Sequence, residues 1–491
     1  VRAKSTWIEF DEDTTKSVTV PDTFRFGVVK NTNTSTLYTS FSSAISEAST
    51  NNVLNIWAWT YNENVVINKG ITVIGNSTAT SKINGGSGDY AIEVKSNGVT
   101  IKNLTLNGAS DSLLYAGNYN SLSVENVVMT SSSSNYGIYF DRTKESTIAS
   151  VTVNDTDRKS VYITDGDTIT FKDSSFMNAS SSHGFEISDS EEIILDNVFI
   201  YNSGYNGSSS YGLYITGSDK ITVQNSTKVG GSKSYELYAN EVSSLKIYNS
   251  TFVGKNLALI EESNSFLIEY SNFKGDTTGD YGVYIKNTDN AMFKFNTVKN
   301  SASSSGSDYG SIYLTSSSSN SIFNNTVTNS GRSGIHLKSS STDNKIYGNT
   351  VSGSNYPGLY VQSSDSALVR NNSFSSSTDY GIKVSSSDNV VIDNNTLSSN
   401  TNYGIYVSSA DQIVVKSNTV SDNNAGIYIS GSDDSIVSLN EIDDQTTYGV
   451  YISDSKRLKI KKNTIKNSLS DALVLSSNCD NAFIDNNTIK N

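Results

Sequence analysis

Short runs in which apolar and polar residues alternate recur along this chain at a nearly fixed interval of 22 to 24 residues. The clearest run reads Tyr-Gly-Ile-Tyr-Val or a close variant, at residues 136–140, 211–215, 281–285, 403–407 and 448–452. Its third and fifth positions form two apolar columns, such as Ile138, Val161, Phe185 and Leu213, and Phe140, Ile163, Ile187 and Ile215. Period-two alternation marks a half-buried strand, and a beat held over many repeats marks one supersecondary unit stacked on copies of itself. A second marker stays in phase with the first: an Asn closing each repeat, within phrases such as Asn-Asn-Thr-Val. Examples are Asn103, Asn126, Asn197, Asn249, Asn296, Asn349, Asn395 and Asn463, with Ser150 and Asp173 filling two beats. The two markers define seventeen coils, and residues 53–75 add about two more.

The pattern predicts an all-β fold, a right-handed parallel β-helix of about nineteen coils with one strand of each coil on every face. Coils stacked about 4.8 Å apart bury the apolar columns as a continuous ladder and leave the residue between them outside. The Asn column has two physical reasons: a tight corner asks for φ > 0, which Asn tolerates, and an inward amide can donate and accept along the stack.

Residues 38–50 break the strand pattern and set Phe41, Ala44, Ile45 and Ala48 at helical spacing. The expected organisation is a strand extension over 1–34 (pieces at 5–10, 17–21 and 24–29), a capping helix region over 35–50, and the solenoid over 51–491.

Composition narrows the function. Ser, Thr, Asn and Gly dominate and only Pro21 and Pro357 interrupt, which suits strands joined by polar turns. A net charge of −13 argues against nucleic acid and acidic membrane surfaces as partners. Cys479 is the sole cysteine, so neither an internal disulfide nor a thiolate metal cluster is available. No run approaches the roughly 18 apolar residues of a membrane helix. Val1 in place of Met suggests a processed secretory protein or an excised segment.

With these markers the chain resembles the pectin-lyase-like β-helix superfamily over residues 35–491, and most of all its NosD-like and prokaryotic adhesin-like repeat proteins. Residues 38–50 resemble the helix that caps the first coil there. The resemblance implies that any glycan-cleaving site lies on the outer side of the Tyr-Gly-Ile-Tyr sheet. Ser182-His183-Gly184 resembles the last element of a polygalacturonase site. However, Arg158-Lys159 and Tyr136 stand where the resemblance asks for acids on the two preceding coils. No arginine sits in a lyase pattern, and His336 beside Arg332 has no acidic companion. No catalytic residue and no cofactor are assigned.

Four surface features remain. Outward slots of the first sheet carry Tyr139, Tyr162, Tyr214, Tyr238, Tyr284, Tyr313, Tyr360, Tyr406, Tyr428 and Tyr451. Stacked tyrosines favour strands, and an exposed aromatic stripe also fits sugars or a neighbouring molecule. Asp343, Asp365, Asp388, Asp411 and Asp433 align in the following turn. They serve there as turn caps, or as Ca²⁺ ligands that relieve a repulsion of about 1 kcal/mol per pair. Sequons at Asn76, Asn206, Asn249 and Asn394, among twelve, permit glycosylation. Two coils carry insertions, at 201–210 and 300–309.

The reading that results is a non-enzymatic extracellular or cell-surface structural protein, part of a surface layer, adhesin or filament. Its expected partner is itself, head to tail, with the 1–34 strands against the open coil at 484–491. The alternatives are a polysaccharide-binding module using the tyrosine stripe, and a lyase or hydrolase with an unfamiliar site.

Overall fold

A computed structural model describes residues 28–207, 209–301 and 309–490. They form two compact units, up to Lys228 and from Val229, and each is a parallel β-solenoid. Together they hold about nineteen turns.

In the second unit a typical coil has three strands, for example Tyr403–Ser408, Val414–Lys416 and Thr419–Ser421. Each pairs in parallel with its counterpart on the next coil, with Ile405 opposite Ile427, Val415 opposite Val437 and Val420 opposite Ile442. These six side chains are fully buried. Removing an Ile or Val side chain from water stabilises by about 1.5–3 kcal/mol, so each coil is held by a short apolar ladder against its neighbours. The Gly of the Tyr-Gly-Ile-Tyr phrase sits where backbones nearly touch. A Cβ on Gly404 would lie 2.9 Å from the Gly426 carbonyl oxygen and 2.4 Å from a Val420 methyl.

The first unit follows the same plan. Its first ladder runs through Ile92, Leu114, Ile138, Val161, Phe185 and Leu213, all fully buried. The expected helix spans Phe41–Glu47 and buries Phe41, Ala44 and Ile45. The Ser40 hydroxyl accepts from the Ser43 N–H (3.2 Å), and the Glu63 carboxylate accepts from the Phe41 N–H (3.0 Å). At the other end Lys69 donates to the carbonyls of Ser46 and Ala48 (2.7 and 2.6 Å). Both ends of a short helix are thereby satisfied.

Of the 1–34 extension, residues 1–27 lie outside the described residues. The remainder is already engaged: strand Val29–Asn31 pairs antiparallel with Thr36–Tyr38 and with Val53–Ile56 of the first coil. The expected strand pieces at 5–10 and 17–21, and most of that at 24–29, lie outside the described residues.

The Asn column divides in two. Asn103, Asn126, Asn197 and Asn249 take φ of 46–57° at the corner, and the inward place next to them belongs to Leu104, Val127, Val198 and Ser250. From Asn296 onward the amide moves one residue inward. Asn325, Asn349, Asn372, Asn395, Asn418, Asn440 and Asn463 are all buried, and other residues take the corner. Within the row the Asn372 N–H and Nδ2 both donate to Asn395 Oδ1 at 2.9 Å, while Nδ2 also reaches the Ile346 carbonyl at 2.8 Å. The two physical reasons for Asn thus act on adjacent residues: the column serves the corner in the early coils and the interior in the late ones, where Asn324, Asn371 and Asn394 also hold the corner beside it.

Candidate functional site

The face formed by the Tyr-Gly-Ile-Tyr strands concentrates the expected site residues. Nine of the ten tyrosines are half-buried, and Tyr313 is buried, with 5% exposure. They are less open than an outward slot suggests because each ring covers the next. Tyr406 and Tyr428 stack at 5.1 Å and 3°, Tyr428 and Tyr451 at 5.2 Å and 2°. Where a coil lacks the tyrosine the stack continues by other means. His336 lies 4.6 Å from Tyr360 at 12°, and the Lys383 ammonium sits 4.8 Å over Tyr360 and 5.9 Å from Tyr406.

A second tyrosine column runs beside the first and was not read as a surface feature from sequence. It includes Tyr136 and Tyr211 in the first unit, and Tyr281, Tyr380, Tyr403 and Tyr448 in the second. Its rings lean on the first column, Tyr211 on Tyr214 at 5.4 Å and Tyr380 on Tyr406 at 4.9 Å. The signal was present as the opening Tyr of each phrase. Strict period-two reading hid it, because the strand turns two successive residues inward (Gly404 and Ile405) between Tyr403 and Tyr406. Burial, helped by the Asp141 charge, pushes the Tyr139 phenol up to about 12, so this ring stays a neutral hydrogen-bonding group.

One charged cluster is embedded in this face. Glu186 and Lys159 are each 8% exposed, and the ammonium lies 2.8 Å from the carboxylate. Lys159 also rests 3.9 Å over the Tyr162 ring, and its burial lowers its proton affinity. His183 stacks on Tyr214 at 4.5 Å and 6°, with Nε2 3.6 Å from the Glu186 carboxylate. Burial first, and the Lys159 charge second, lower the imidazole to about 4. The Tyr211 N–H donates to His183 Nδ1 at 3.2 Å. The neutral ring therefore carries its proton on Nε2, facing Glu186, and its lone pair is already taken. A base for catalysis needs that lone pair free.

The aspartate column has a comparable local account. Asp365 accepts from the Asp388 N–H (2.9 Å), Asp388 from Asp411 (2.8 Å), Asp411 from Asp433 (2.8 Å) and Asp433 from Lys456 (2.8 Å). Each carboxylate caps the turn of the following coil. Asp343 does not belong to this row. It takes φ 55° at the corner, level with Ser366 and Asn389, so the sequence alignment was one residue out there. Among the described residues no group of three or more His, Cys, Asp or Glu side chains could hold a metal ion. The sequons Asn76, Asn206, Asn249 and Asn394 are exposed. Asn394 Nδ2, the atom a glycan would take, donates to Asn371 Oδ1 at 2.7 Å. The insertion at 201–210 exposes Tyr201 and Tyr205, and that at 300–309 lies mostly outside the described residues.

A family profile described as "Right handed beta helix region" matches residues 47–229, 136–256 and 357–491. The chain belongs to the right-handed β-helix family. A second profile, "Periplasmic copper-binding protein (NosD)", matches residues 233–402 of this β-helix. That segment offers a copper ion only His336 and Met292 among soft or imidazole donors, and His336 is fully buried in the ring stack. Its residues do not fit a copper centre. No curated protein matches the β-helix. Solved structures similar to it include the periplasmic alginate epimerase AlgG, at 10% identity over 89% of this chain and 85% of that one, with a TM-score of 0.32. Others are the Dettilon tailspike protein (13% identity, 81% and 61%, TM-score 0.29) and the Azotobacter vinelandii mannuronan C-5 epimerase AlgE4 A-module (10%, 91% and 93%, 0.20). These are likenesses of fold alone. Among the described residues no helix is long and apolar enough to cross a membrane.

Proposed function

We propose that this β-helix is a non-catalytic structural protein located outside the cytoplasm, in a surface layer, adhesin or filament. The observation that carries the reading is the commitment of its reactive-looking groups to holding coils together. His183 gives its lone pair to a backbone N–H, Glu186 takes Lys159, and the Asp365–Asp433 row caps the next turn. The tyrosine columns are likewise covered by their own stacking. The periplasmic name of the NosD profile supports a location outside the cytoplasm.

The test is incubation of the purified protein with acidic and neutral polysaccharides, followed by ultraviolet absorbance and reducing-end assays. No turnover is expected, and sustained depolymerisation would overturn the reading. Electron microscopy of the same sample addresses assembly, with ordered arrays or polymers the outcome expected of a layer or filament subunit.

A further inference from the structure

The second strand of each coil carries a different aromatic row, confined to five coils of the second unit. Tyr248, Tyr270, Phe295, Phe323 and Tyr347 follow one another with ring centroids 5.6, 5.1, 5.7 and 4.6 Å apart. Tyr248, Tyr270 and Phe295 are 44%, 53% and 40% exposed, and the neighbouring Met292 is 38% exposed. This is the open aromatic surface that the tyrosine columns of the first face are not.

The row is continuous only because two residues leave the strand register. Tyr248, Phe323 and Tyr347 occupy the last position of their strands. On the two coils between, that position holds Glu269 and Lys294, which pair with each other at 2.9 Å. There the ring comes one residue later, at Tyr270 (φ 52°) and Phe295 (φ 55°). Equivalent corners of the second unit most often carry Asn, at Asn249, Asn324, Asn371 and Asn394, with Gly348, Ser417, Leu439 and Lys462 at others. Bulky residues rarely take the left-handed region, and strain of this kind on an exposed side chain points to a use for that side chain.

We infer that this row is a binding track for a linear anionic polysaccharide lying along the stack. Its rings repeat at the coil spacing, so successive sugar units of an extended chain meet one ring each. Exposed Lys246 and Lys345 stand two residues before the first and last rings of the row, with Arg370, which pairs with Asp393 at 3.4 Å, just beyond it. In a chain of net charge −13 this local excess of cations selects an anionic ligand and disfavours a second copy. Aromatic faces with flanking cations suit sugars bearing carboxylate or sulfate groups.

The full chain, run in affinity electrophoresis through gels containing polygalacturonate, dextran sulfate or neutral dextran, is expected to be retarded by the first two only. Variant Tyr270→Asn/Phe295→Asn restores the usual corner residue, so it should melt at or above the parent temperature while retardation falls at least tenfold. Lys246→Gln/Lys345→Gln should weaken retardation severalfold, and Tyr406→Ser on the first face should leave it unchanged. Absence of binding by the parent, equal binding of neutral dextran, or retention of binding by the double Asn variant would overturn the inference. Turnover assays on the parent stay independent, since binding without turnover leaves the structural reading standing.

Discussion

Glu236 is the residue most at odds with its place. It is fully buried where the corresponding position of later coils holds Gly282, Gly358, Gly381 or Gly404. Its carboxyl accepts from the Ser232 N–H at 3.2 Å, and Gly254 leaves the room, since a Cβ there would collide with it. Burial pushes the group up to about 8, from an ordinary 4.5. The folded state therefore binds this proton more tightly than the unfolded chain does. The resulting stability is complete below about pH 4.5, erodes as pH rises, and is gone once pH has passed through about 8. Thermal melts across pH 5–9 should show this decline in the parent and a flatter profile in Glu236→Gln, whose amide needs no proton. Identical profiles would show that Glu236 is not the cause. Nothing in the sequence flagged this group, because a single Glu in a Tyr-Glu-Leu-Tyr phrase looks like ordinary variation of an outward slot.

At the scale of elements the ladders decide what holds. Asn395 Oδ1 accepts both the N–H and the Nδ2 of Asn372, and Asn395 Nδ2 donates to Asn418 and to the Val369 carbonyl. Replacing it with Ala strands several buried donors and acceptors, so a loss of about 3 kcal/mol is expected in urea denaturation. Asn394→Ala, at the exposed corner, should cost about 1 kcal/mol. Equal losses would contradict the division of roles between the two positions. The sequence revealed the beat, the apolar columns and the cap helix, because burial on a pleated strand writes itself as alternation. It placed Asn395 correctly in the inward row but gave that same residue the corner's left-handed φ, which Asn394 carries, since a run of Asn conceals which one turns the corner. Nor did it show that Asp343 lies off the aspartate row, because a one-residue shift in a turn leaves the spacing nearly unchanged. The aromatic row at Tyr248–Tyr347 escaped for the same reason, its rings crossing between two columns.

The molecule as a whole behaves as a sum of like units, each bonded chiefly to its neighbours. Asn395 and Asn418 are equivalent and 23 residues apart. Deleting residues 396–418 therefore joins Asn395 to Thr419 in register and removes one coil. That deletion should leave the circular dichroism spectrum and the melting temperature nearly unchanged. Deleting 396–417 instead leaves Asn418 as an extra residue directly after Asn395, puts the Thr419–Ser421 strand one residue out of register at that corner, and should lower the melting temperature of that unit. If both deletions melt alike, stacking register does not govern stability.

The amide row from Asn325 to Asn463 also has a sense of direction. Every link runs the same way, from the N–H and Nδ2 of one Asn to the Oδ1 of the Asn on the following coil. Backbone bonds between strands alternate in direction and largely cancel, whereas these side-chain dipoles add. The core of the second unit is thus a small electret, a permanently polarised rod of amides sealed inside an apolar sleeve. Its field points along the stack, and each amide is oriented by the field of those before it.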